Sequence, residues 1–386
     1  MKSIRHNIHR WLLTLVCGLL PFAPAGAVDF SMVPAVPEIA AGSHILVDYH
    51  SDHVIASNNA HERMEPASLT KLMTAYTVFH ELEKGNIDLD EKVRISEAAW
   101  RMPGSRMFVE VNSEVSVEEL LKGLIIQSGN DASVALAEHV AGSEDAFAGL
   151  MNEHARNLGM DNTRFTNASG LPEDELYTSA HDMAVLAKAV IEHFPDFYSW
   201  YSEREYTYNG ITQYNRNRLL WRNPHVDGLK TGHTRSAGYG LVTSAERDGM
   251  RLISVVMKTA GEEARAQETQ KLLNHGFRFY TTHRLYEADT RLTDIRIWKG
   301  EKEELALGIE EPLHVTIPRG QYDQLEASMT LEQALMAPAS AGESYGTLAI
   351  TMDDQVLAER PLVALEDVAE GGIWTRLVDN VILLFN

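Results

Sequence analysis

The sequence predicts an α/β domain over residues 28–290, a small all-β domain over residues 291–371 and an amphipathic helix over residues 372–386. Strand-like segments stand at both ends of the first region with helix-like segments between them, so its terminal strands are expected to share one sheet. Near residue 290 the pattern changes to short alternating segments separated by turn residues. The last residues instead repeat apolar positions at helical spacing.

Residues 1–27 have the three parts of a secretory signal peptide. Lys2, Arg5 and Arg10 precede the apolar run WLLTLVCGLLPFA, and the small residues AGA at 25–27 follow it. The apolar run is too short to cross a bilayer comfortably as a helix. We therefore expect export, with cleavage after residue 27.

Composition excludes several classes of function. Cys17, in the signal peptide, is the only cysteine, so the mature chain is expected to have neither disulfides nor thiol catalysis. The net charge of −21 argues against nucleic acid as a partner. The 16 histidines include no HExxH pattern, so we expect no metal and no cofactor.

Individual elements follow from local patterns. Two strands, SHILVDYH and HVIASNN, are predicted to be joined by a turn at Ser51-Asp52. A helix is predicted from Ser68 to Glu83, and a second over 116–127, where Ser116 and Glu119 have the spacing of a capping box. Two further helices, two adjacent antiparallel strands and a closing helix are predicted in DASVALAEHVAG, SEDAFAGLMNEHARNLG, GYGLVTSAE, MRLISVVMKT and ARAQETQKLLNHGFRFY.

The C-terminal helix places large apolar residues on one face. They are Ile373, Trp374, Leu377, Val378, Val381, Ile382 and Phe385. A helix from residue 373 to 386 is roughly 21 Å long, short of the ~30 Å hydrocarbon core, so it is expected to lie in the membrane interface. Packing of this helix on the β domain is the alternative. The β domain itself has no catalytic grouping and is predicted to be a spacer or docking module.

Three short motifs carry the chemistry: Ser68-x-x-Lys71, Ser128-Gly129-Asn130 and Lys230-Thr231-Gly232. Chance produces roughly one SxxK in a chain of this length, and Ser68 and Lys71 could simply be the polar start of a helix. The order and the context are what make the set specific. SxxK begins a helix, SGN falls between two helices and KTG precedes a strand, as in penicillin-recognising serine acyl transferases.

The resemblance extends beyond the motifs. PASLTKLMTAY, LIIQSGNDASVALAEHVAGSEDAFAGLMN, YTYNGI, NRNRLLW, VDGLKTGHT, MRLISVVM and GFRFY resemble the D-alanyl-D-alanine carboxypeptidases among the low-molecular-mass penicillin-binding proteins. The similarity runs from about residue 30 to the end of the chain. It implies a penicillin-binding-protein or serine β-lactamase-like transpeptidase fold, followed by the β domain and the amphipathic tail of that family.

A serine hydroxyl becomes a nucleophile when a neighbouring base takes its proton. Lys71 can be that base for Ser68 if burial and the like charge of Lys230 lower its pKa. Ser128 is predicted to relay a proton to the departing amine, with Lys230 orienting it. The amide of Asn130 is predicted to hold the substrate's peptide group.

The resemblance adds further substrate-binding residues. It implies that the backbone N–H groups of Ser68 and His233, which follows Gly232 of the KTG motif, form the oxyanion hole. It also implies that Thr231 and Arg265 bind the free carboxylate of the terminal D-alanine, a task that suits a bidentate guanidinium. EDELY at 173–177 resembles the ExxLN loop of class A β-lactamases but ends in tyrosine, so Glu173 is interpreted as a solvated charge.

The resemblance implies removal of the C-terminal D-alanine from peptidoglycan pentapeptide stems through a Ser68 acyl-enzyme, with β-lactams acylating the same serine. Deacylation of the β-lactam adduct is expected to be slow, because its leaving group stays tethered. The expected location is the periplasmic face of the inner membrane, with peripheral attachment through the C-terminal helix. Two alternatives stay open: a D,D-endopeptidase that cuts cross-linked stems, and a non-catalytic peptidoglycan-binding scaffold.

Overall fold

The computed structural model describes residues 33–331 and 334–383. The predicted signal peptide, residues 1–27, lies outside these ranges, as do residues 384–386 of the predicted C-terminal helix. From Ala35 onward the chain forms one compact unit.

Strands and helices alternate in the first region. In chain order they are β1 (Ser43–Asp48), β2 (Val54–Asn58), a 3₁₀ turn (Ala67–Thr70), α1 (Lys71–Glu83), β3 (Lys92–Arg94), α2 (Glu97–Trp100), β4 (Glu114–Ser116), α3 (Val117–Lys122), a π-helical turn (Gly123–Gln127), α4 (Asn130–Ala141), α5 (Glu144–Asn157), α6 (Ala180–His193), α7 (Pro195–Tyr198), a 3₁₀ turn (Ser199–Ser202), β5 (Glu205–Tyr208), β6 (Ile211–Tyr214), α8 (Leu219–Arg222), β7 (Val226–Thr234), β8 (Gly238–Arg247), β9 (Met250–Thr259) and α9 (Glu262–Phe279).

A five-stranded antiparallel sheet in the order β2-β1-β9-β8-β7 organises this region. β1 pairs with β9, which confirms that strands from the two ends of the region share one sheet. Side chains alternate across it, as a strand requires. Ile253 and Val255 join the core that contains α1 and α6, whereas Leu252 and Val256 join the core that contains α9.

Helix α1 is the central helix of the larger core. Every residue from Lys71 to Phe79 is buried, so the helix is enclosed on all sides rather than on one face. The helix predicted from Ser68 begins as an α-helix only at Lys71, because the preceding residues form the 3₁₀ turn. Ser116 and Glu119 form the predicted capping box, with both reciprocal hydrogen bonds present.

The C-terminal region is all-β until its last helix. Its elements are β10 (Tyr280–Tyr286), β11 (Thr290–Trp298), β12 (Glu304–Ile309), β13 (Leu313–Pro318), a 3₁₀ turn (Tyr322–Gln324), β14 (Glu326–Leu331), β15 (Leu335–Met336), β16 (Ser344–Met352), β17 (Gln355–Ala364) and α10 (Ile373–Leu383). One sheet has the order β14-β16-β17-β12-β11-β15, and β10 pairs with β13. Strand pairing within this region therefore starts at Tyr280, N-terminal to the predicted change at residue 290.

Polar contacts join the two regions. The Thr282 hydroxyl donates to Asp48 Oδ2 at 2.6 Å, and the hydroxyls of Ser51 and Thr316 lie 2.7 Å apart. The carboxylate of Asp48, which is fully buried, also accepts from the backbone N–H of Ser51 at 2.9 Å. The turn between β1 and β2 thus lies against β10 and β13 of the C-terminal region.

Helix α10 turns its polar side toward the β domain. Asp379 is its one buried residue among those described, and its carboxylate accepts from the backbone N–H of Lys299 at 2.6 Å. On the exposed side lie the large apolar residues Ile373, Trp374, Leu377, Val378 and Val381. Among the described residues, none of the helices has the length and apolar character needed to span a bilayer.

Candidate active site

A polar cavity of about 260 Å³ opens where the edge strand β7 meets the turn before α1. Its wall is formed by Ser68, Ser105, Ser128, Arg216, Thr231, Gly232, His233, Tyr239, Glu262 and Arg265. Three predicted site residues are absent from this wall: Lys71, Asn130 and Lys230, all of which are buried. Ser68, Ser128 and Thr231 each belong to a different motif, so the three sequence motifs meet at this cavity.

Two glycines hold the turn that carries Ser68. Ala67 adopts a left-handed backbone with φ 48°. Gly170 approaches it so closely that a Cβ there would lie 1.9 Å from the Ala67 carbonyl oxygen. From β7, a Cβ on Gly232 would lie 2.9 Å from the carbonyl oxygen of Pro66. Only glycine fits at both places, so Gly232 of the KTG motif allows the strand to pack against the nucleophile's turn.

The amine of Lys71 lies among three oxygen atoms. Its Nζ is 3.1 Å from Ser68 Oγ, 2.7 Å from Asn130 Oδ1 and 2.5 Å from the backbone carbonyl oxygen of Ser169. A neutral amine has two N–H donors and one lone pair. The carbonyl oxygens of Asn130 and Ser169 accept the two donors, which leaves the lone pair for the Ser68 hydroxyl. This is the geometry of a base poised to take the serine proton.

The pKa of Lys71 is lowered to about 7, mainly by burial, because the ammonium form loses its water. The nearby cation Arg216 contributes to this lowering, whereas Asp131 and Glu144 oppose it. The pKa of Lys71 is lowered, as predicted, and the like charges of Lys71 and Lys230 act on each other. Arg216 is a further cation that lowers the Lys71 pKa, and the sequence analysis does not foresee it.

The predicted proton relay, Ser128, lies at a backbone reversal. The π-helical turn ends at Gln127, the backbone of Ser128 is left-handed with a φ of 67°, and α4 begins at Asn130. Its Oγ is buried and has no hydrogen-bond partner among the described residues. The predicted contact with Lys230 is therefore not formed here, since Lys230 Nζ instead donates to the Thr231 carbonyl at 3.5 Å. The Ser128 hydroxyl is free to bond a bound substrate.

Asn130 is held at both ends of its amide. Its Oδ1 accepts from Lys71, and its Nδ2 donates to the Pro103 carbonyl at 2.6 Å. Its backbone N–H donates to the Ser105 carbonyl at 2.7 Å. One N–H of the amide remains for a substrate carbonyl. In this structure Asn130 positions the Lys71 amine through its Oδ1 atom.

Two guanidinium groups, Arg216 and Arg265, lie in the cavity wall, and the amine of Lys230 is buried near them. The buried guanidinium of Arg265 lies 3.4 Å from the Gly232 carbonyl and 3.4 Å from that of Arg216. Burial is the main cause that lowers its pKa, to about 10, and it also lowers the pKa of Lys230 well below the usual range. The charges of Lys71, Arg216 and Arg265 lower the Lys230 pKa further. A substrate carboxylate beside Thr231 would relieve this repulsion.

His233 lies at the mouth of the cavity with an exposed side chain. Its ring centroid is 3.8 Å from that of Tyr239. Partial desolvation and the charges of Arg265 and Arg216 lower the pKa of its imidazole. The imidazole does not hydrogen-bond Ser68 or Lys71 in the described structure, which fits the prediction that only its backbone serves the site.

Sequence reasoning missed several residues that the structure brings to the site. Arg216 lies in NRNRLLW, which the sequence marks only through its resemblance to the family, and Ser105 belongs to no motif. Ser169 acts through its carbonyl, which no sequence pattern reveals. Glu173 is exposed, accepts from Asn167 Nδ2 at 2.9 Å and is not in the cavity wall. Over the described ranges, no group of three or more His, Cys, Asp or Glu side chains could hold a metal.

A serine hydroxyl against a buried amine, beside a cationic wall, defines a serine acyl-transfer enzyme. Comparison with known proteins gives the family. Residues 31–261 match the family model of D-alanyl-D-alanine carboxypeptidase, and residues 280–370 match that of the penicillin-binding protein 5 C-terminal domain. D-alanyl-D-alanine carboxypeptidase DacC of Escherichia coli (strain K12) is 44% identical over 376 residues, which cover 95% of this chain and 94% of that protein.

Solved structures of related penicillin-binding proteins support the same family assignment. Penicillin-binding protein 5 of Haemophilus influenzae is 40% identical, with a TM-score of 0.85 over 87% of this chain and all of that one. Penicillin-binding protein D2 of Listeria monocytogenes, in its ampicillin-bound form, is 30% identical, with a TM-score of 0.59 over 63% of this chain and 100% of that one. The chain belongs to the D-alanyl-D-alanine carboxypeptidase family of serine peptidases. The predicted family and fold class are confirmed.

The Lys71 pKa sets the pH dependence of acylation. Below about pH 7 the amine is protonated and cannot accept the Ser68 proton, so the rate should fall as pH falls and reach a plateau above about 8. The second-order rate constant for acylation by benzylpenicillin, measured across this range, checks the expectation. A rate that does not change between about pH 6 and 8 would contradict it.

Gly170→Ala should disable the site by displacing the turn at Ala67. Its Cβ cannot coexist with the Ala67 carbonyl, and a displacement of about 1 Å at the nucleophile can cost ~100-fold in rate. Gly149→Ala, in open space on α5, is the matched control and should acylate normally. Acylation rates, with thermal melts to confirm folding, make the test. Normal acylation by a folded Gly170→Ala protein would show that the turn is not held as described.

Proposed function

We propose that the protein is a serine-type D-Ala-D-Ala carboxypeptidase that removes the C-terminal D-alanine from peptidoglycan pentapeptide stems. The observation that carries this proposal is the position of Lys71 Nζ, 3.1 Å from Ser68 Oγ, with its two other contacts occupied by carbonyl oxygens. The family assignment and the cationic wall at Thr231 support the same reaction. A substrate that ends in a free carboxylate suits that wall.

The reaction proceeds in two halves. Ser68 Oγ attacks the carbonyl carbon of the D-Ala–D-Ala peptide as Lys71 takes its proton, and the negative oxygen that forms is bound by the backbone N–H groups of Ser68 and His233. The C–N bond then breaks, and the departing D-alanine amine receives the proton through Ser128. Water hydrolyses the resulting ester and releases the shortened stem and free Ser68.

β-Lactams are proposed to acylate the same serine. Their carboxylate takes the place of the substrate's beside Thr231 and Arg265, and their opened ring keeps the amine attached to the acyl group. Among the described residues, Glu262 is the one carboxylate of the cavity wall, and it is paired with Arg218 at 3.1 Å and with Arg265 at 3.7 Å, so it is not placed to activate a deacylating water. The adduct should therefore persist.

Ser68→Ala should abolish formation of the benzylpenicillin adduct and the release of D-alanine from a pentapeptide, because the attacking oxygen is gone. Ser105→Ala is the matched control, since Ser105 is a second serine of the cavity wall, and it should still form one adduct. Intact-mass spectrometry over time provides the measurement. An adduct on Ser68→Ala would refute the assignment of Ser68 as the nucleophile. A wild-type adduct lost within seconds would indicate a β-lactamase instead.

We further propose that the mature protein is held at the periplasmic face of the inner membrane by α10. Its exposed apolar side chains include Trp374 at 80% exposure and Ile373 at 69%. Burial of such a side chain in the interface contributes roughly 1.5–3 kcal/mol. Asp379, bonded to Lys299 of the β domain, keeps that apolar side outward.

Two variants test the attachment. Removing residues 373–386 should release the protein from anionic phospholipid vesicles while D-alanine release continues, because the cavity at Ser68 is in another region. Trp374→Glu combined with Val381→Glu should do the same while keeping Asp379 in place. Co-sedimentation with vesicles measures both. Vesicle binding that survives in both variants would refute the proposed role of α10.

A further inference from the structure

A second groove, about 910 Å³, is larger than the cavity at Ser68. It lies along α9 and reaches the β domain at Arg319. Its charged lining consists of four arginines, Arg222, Arg247, Arg278 and Arg319, with His225 and a single carboxylate, Asp248. In a chain whose net charge is −21, this is a local reversal of sign.

Two of these arginines are uncompensated. Arg222 is paired with Glu263 by two hydrogen bonds of 2.7 and 2.9 Å, and Arg247 lies 3.3 Å from Asp248. Neither of the other two, Arg278 and Arg319, makes an ion pair in the part of the chain that the structure describes.

Arg319 and Arg278 make different contacts within the protein. Arg319 is held by two hydrogen bonds, of 2.9 and 3.2 Å, to the Phe277 carbonyl. Arg278 lies over the Phe279 ring, 5.4 Å from its centroid. Both side chains are exposed, so both guanidinium groups can bind carboxylates.

The rest of the groove offers neutral hydrogen-bonding groups. Asn223 Nδ2 donates to Gln270 Oε1 at 3.1 Å, and Gln270 Nε2 donates to Asn274 Oδ1 at 2.8 Å. Gln267, one turn earlier on α9, also faces the groove. A row of amides beside free guanidinium groups suits a polar chain that carries amides and carboxylates, and not an apolar ligand.

The same two segments wall both cavities. Helix α9 contributes Arg265 to the cavity at Ser68 and Arg278 to the groove, which are roughly 20 Å apart along the helix axis. The segment that supplies Arg216 to the cavity supplies Asn223 to the groove. The cavity and the groove thus lie near opposite ends of α9, a separation that a polymer with repeated peptide stems can bridge.

We propose that the groove is a second binding site for peptidoglycan, which takes the carboxylates of a neighbouring peptide stem on the same polymer. The proposal rests on the proposed function, since it assumes that the polymer is the substrate. Two linked contacts convert the second binding event into an intramolecular one, so weak contacts at the groove raise the overall affinity for the polymer.

The test compares charge reversal at two sites. Arg247→Glu with Arg278→Glu changes the groove and leaves the Arg319 hydrogen bonds intact. Arg284→Glu with Arg291→Glu makes the same change in charge at two exposed arginines outside the groove and is the matched control. Co-sedimentation with purified insoluble peptidoglycan at low salt measures binding, after benzylpenicillin has blocked Ser68. Release of D-alanine from a soluble N-acylated tripeptide that ends in D-Ala-D-Ala measures the active site separately.

The groove variant should bind the polymer about tenfold more weakly, the loss expected for two exposed charge contacts, and the control should bind like the wild type. Both should act on the soluble tripeptide at the wild-type rate. Equal polymer binding by the groove variant and the wild type would overturn the proposal, as would an equal loss in the control. A wild-type protein that binds the polymer through the groove but releases no D-alanine from the tripeptide would refute the proposed function alone.

Discussion

The amine of Lys71, at the start of α1, is buried between the turn at Ser128 and the loop at Ser169. The rest of the site depends on this burial. A pKa lowered from 10.5 to about 7 corresponds to a bias of roughly 5 kcal/mol against the charged form. The carbonyl oxygens that accept its two N–H bonds orient the lone pair toward Ser68. The amine can therefore lose its charge near pH 7, and its lone pair points toward Ser68 Oγ. A base for serine needs both properties.

Unusual backbone conformations hold the oxygens around that amine. Ala67, Ser128 and Gly170 all have positive φ, and the two that are not glycine each cost roughly 1–2 kcal/mol. Regular helices would carry the Ser68 and Ser128 hydroxyls along their own surfaces, whereas these reversals bring both to one cavity. The surrounding core, in which α1 is enclosed on every side, resists relaxation of the strained turns.

Much of this arrangement could be predicted from the sequence, and the part that could not has a physical explanation. The order of SxxK, SGN and KTG, with a capping box at Ser116, located the nucleophile, its base and the substrate strand. The sequence predicts an α-helix where the 3₁₀ turn precedes Lys71, because periodicity does not distinguish the two over four residues. Ser169 contributes a backbone carbonyl, which every residue has. Arg216 reaches Lys71 only through tertiary folding, so its effect on the Lys71 pKa could not be predicted from the sequence.

Burial and the charge of Arg216 together make Lys71 a neutral base. The most direct test is the titration of lysine side chains labelled with ¹³C at Cε, followed by NMR, with Lys71→Arg and Lys230→Arg variants to assign the two buried signals. The account predicts that the Lys71 signal titrates near pH 7 and that Arg216→Gln moves its midpoint upward. A Lys71 signal that titrates near its ordinary value of 10.5 would contradict the account.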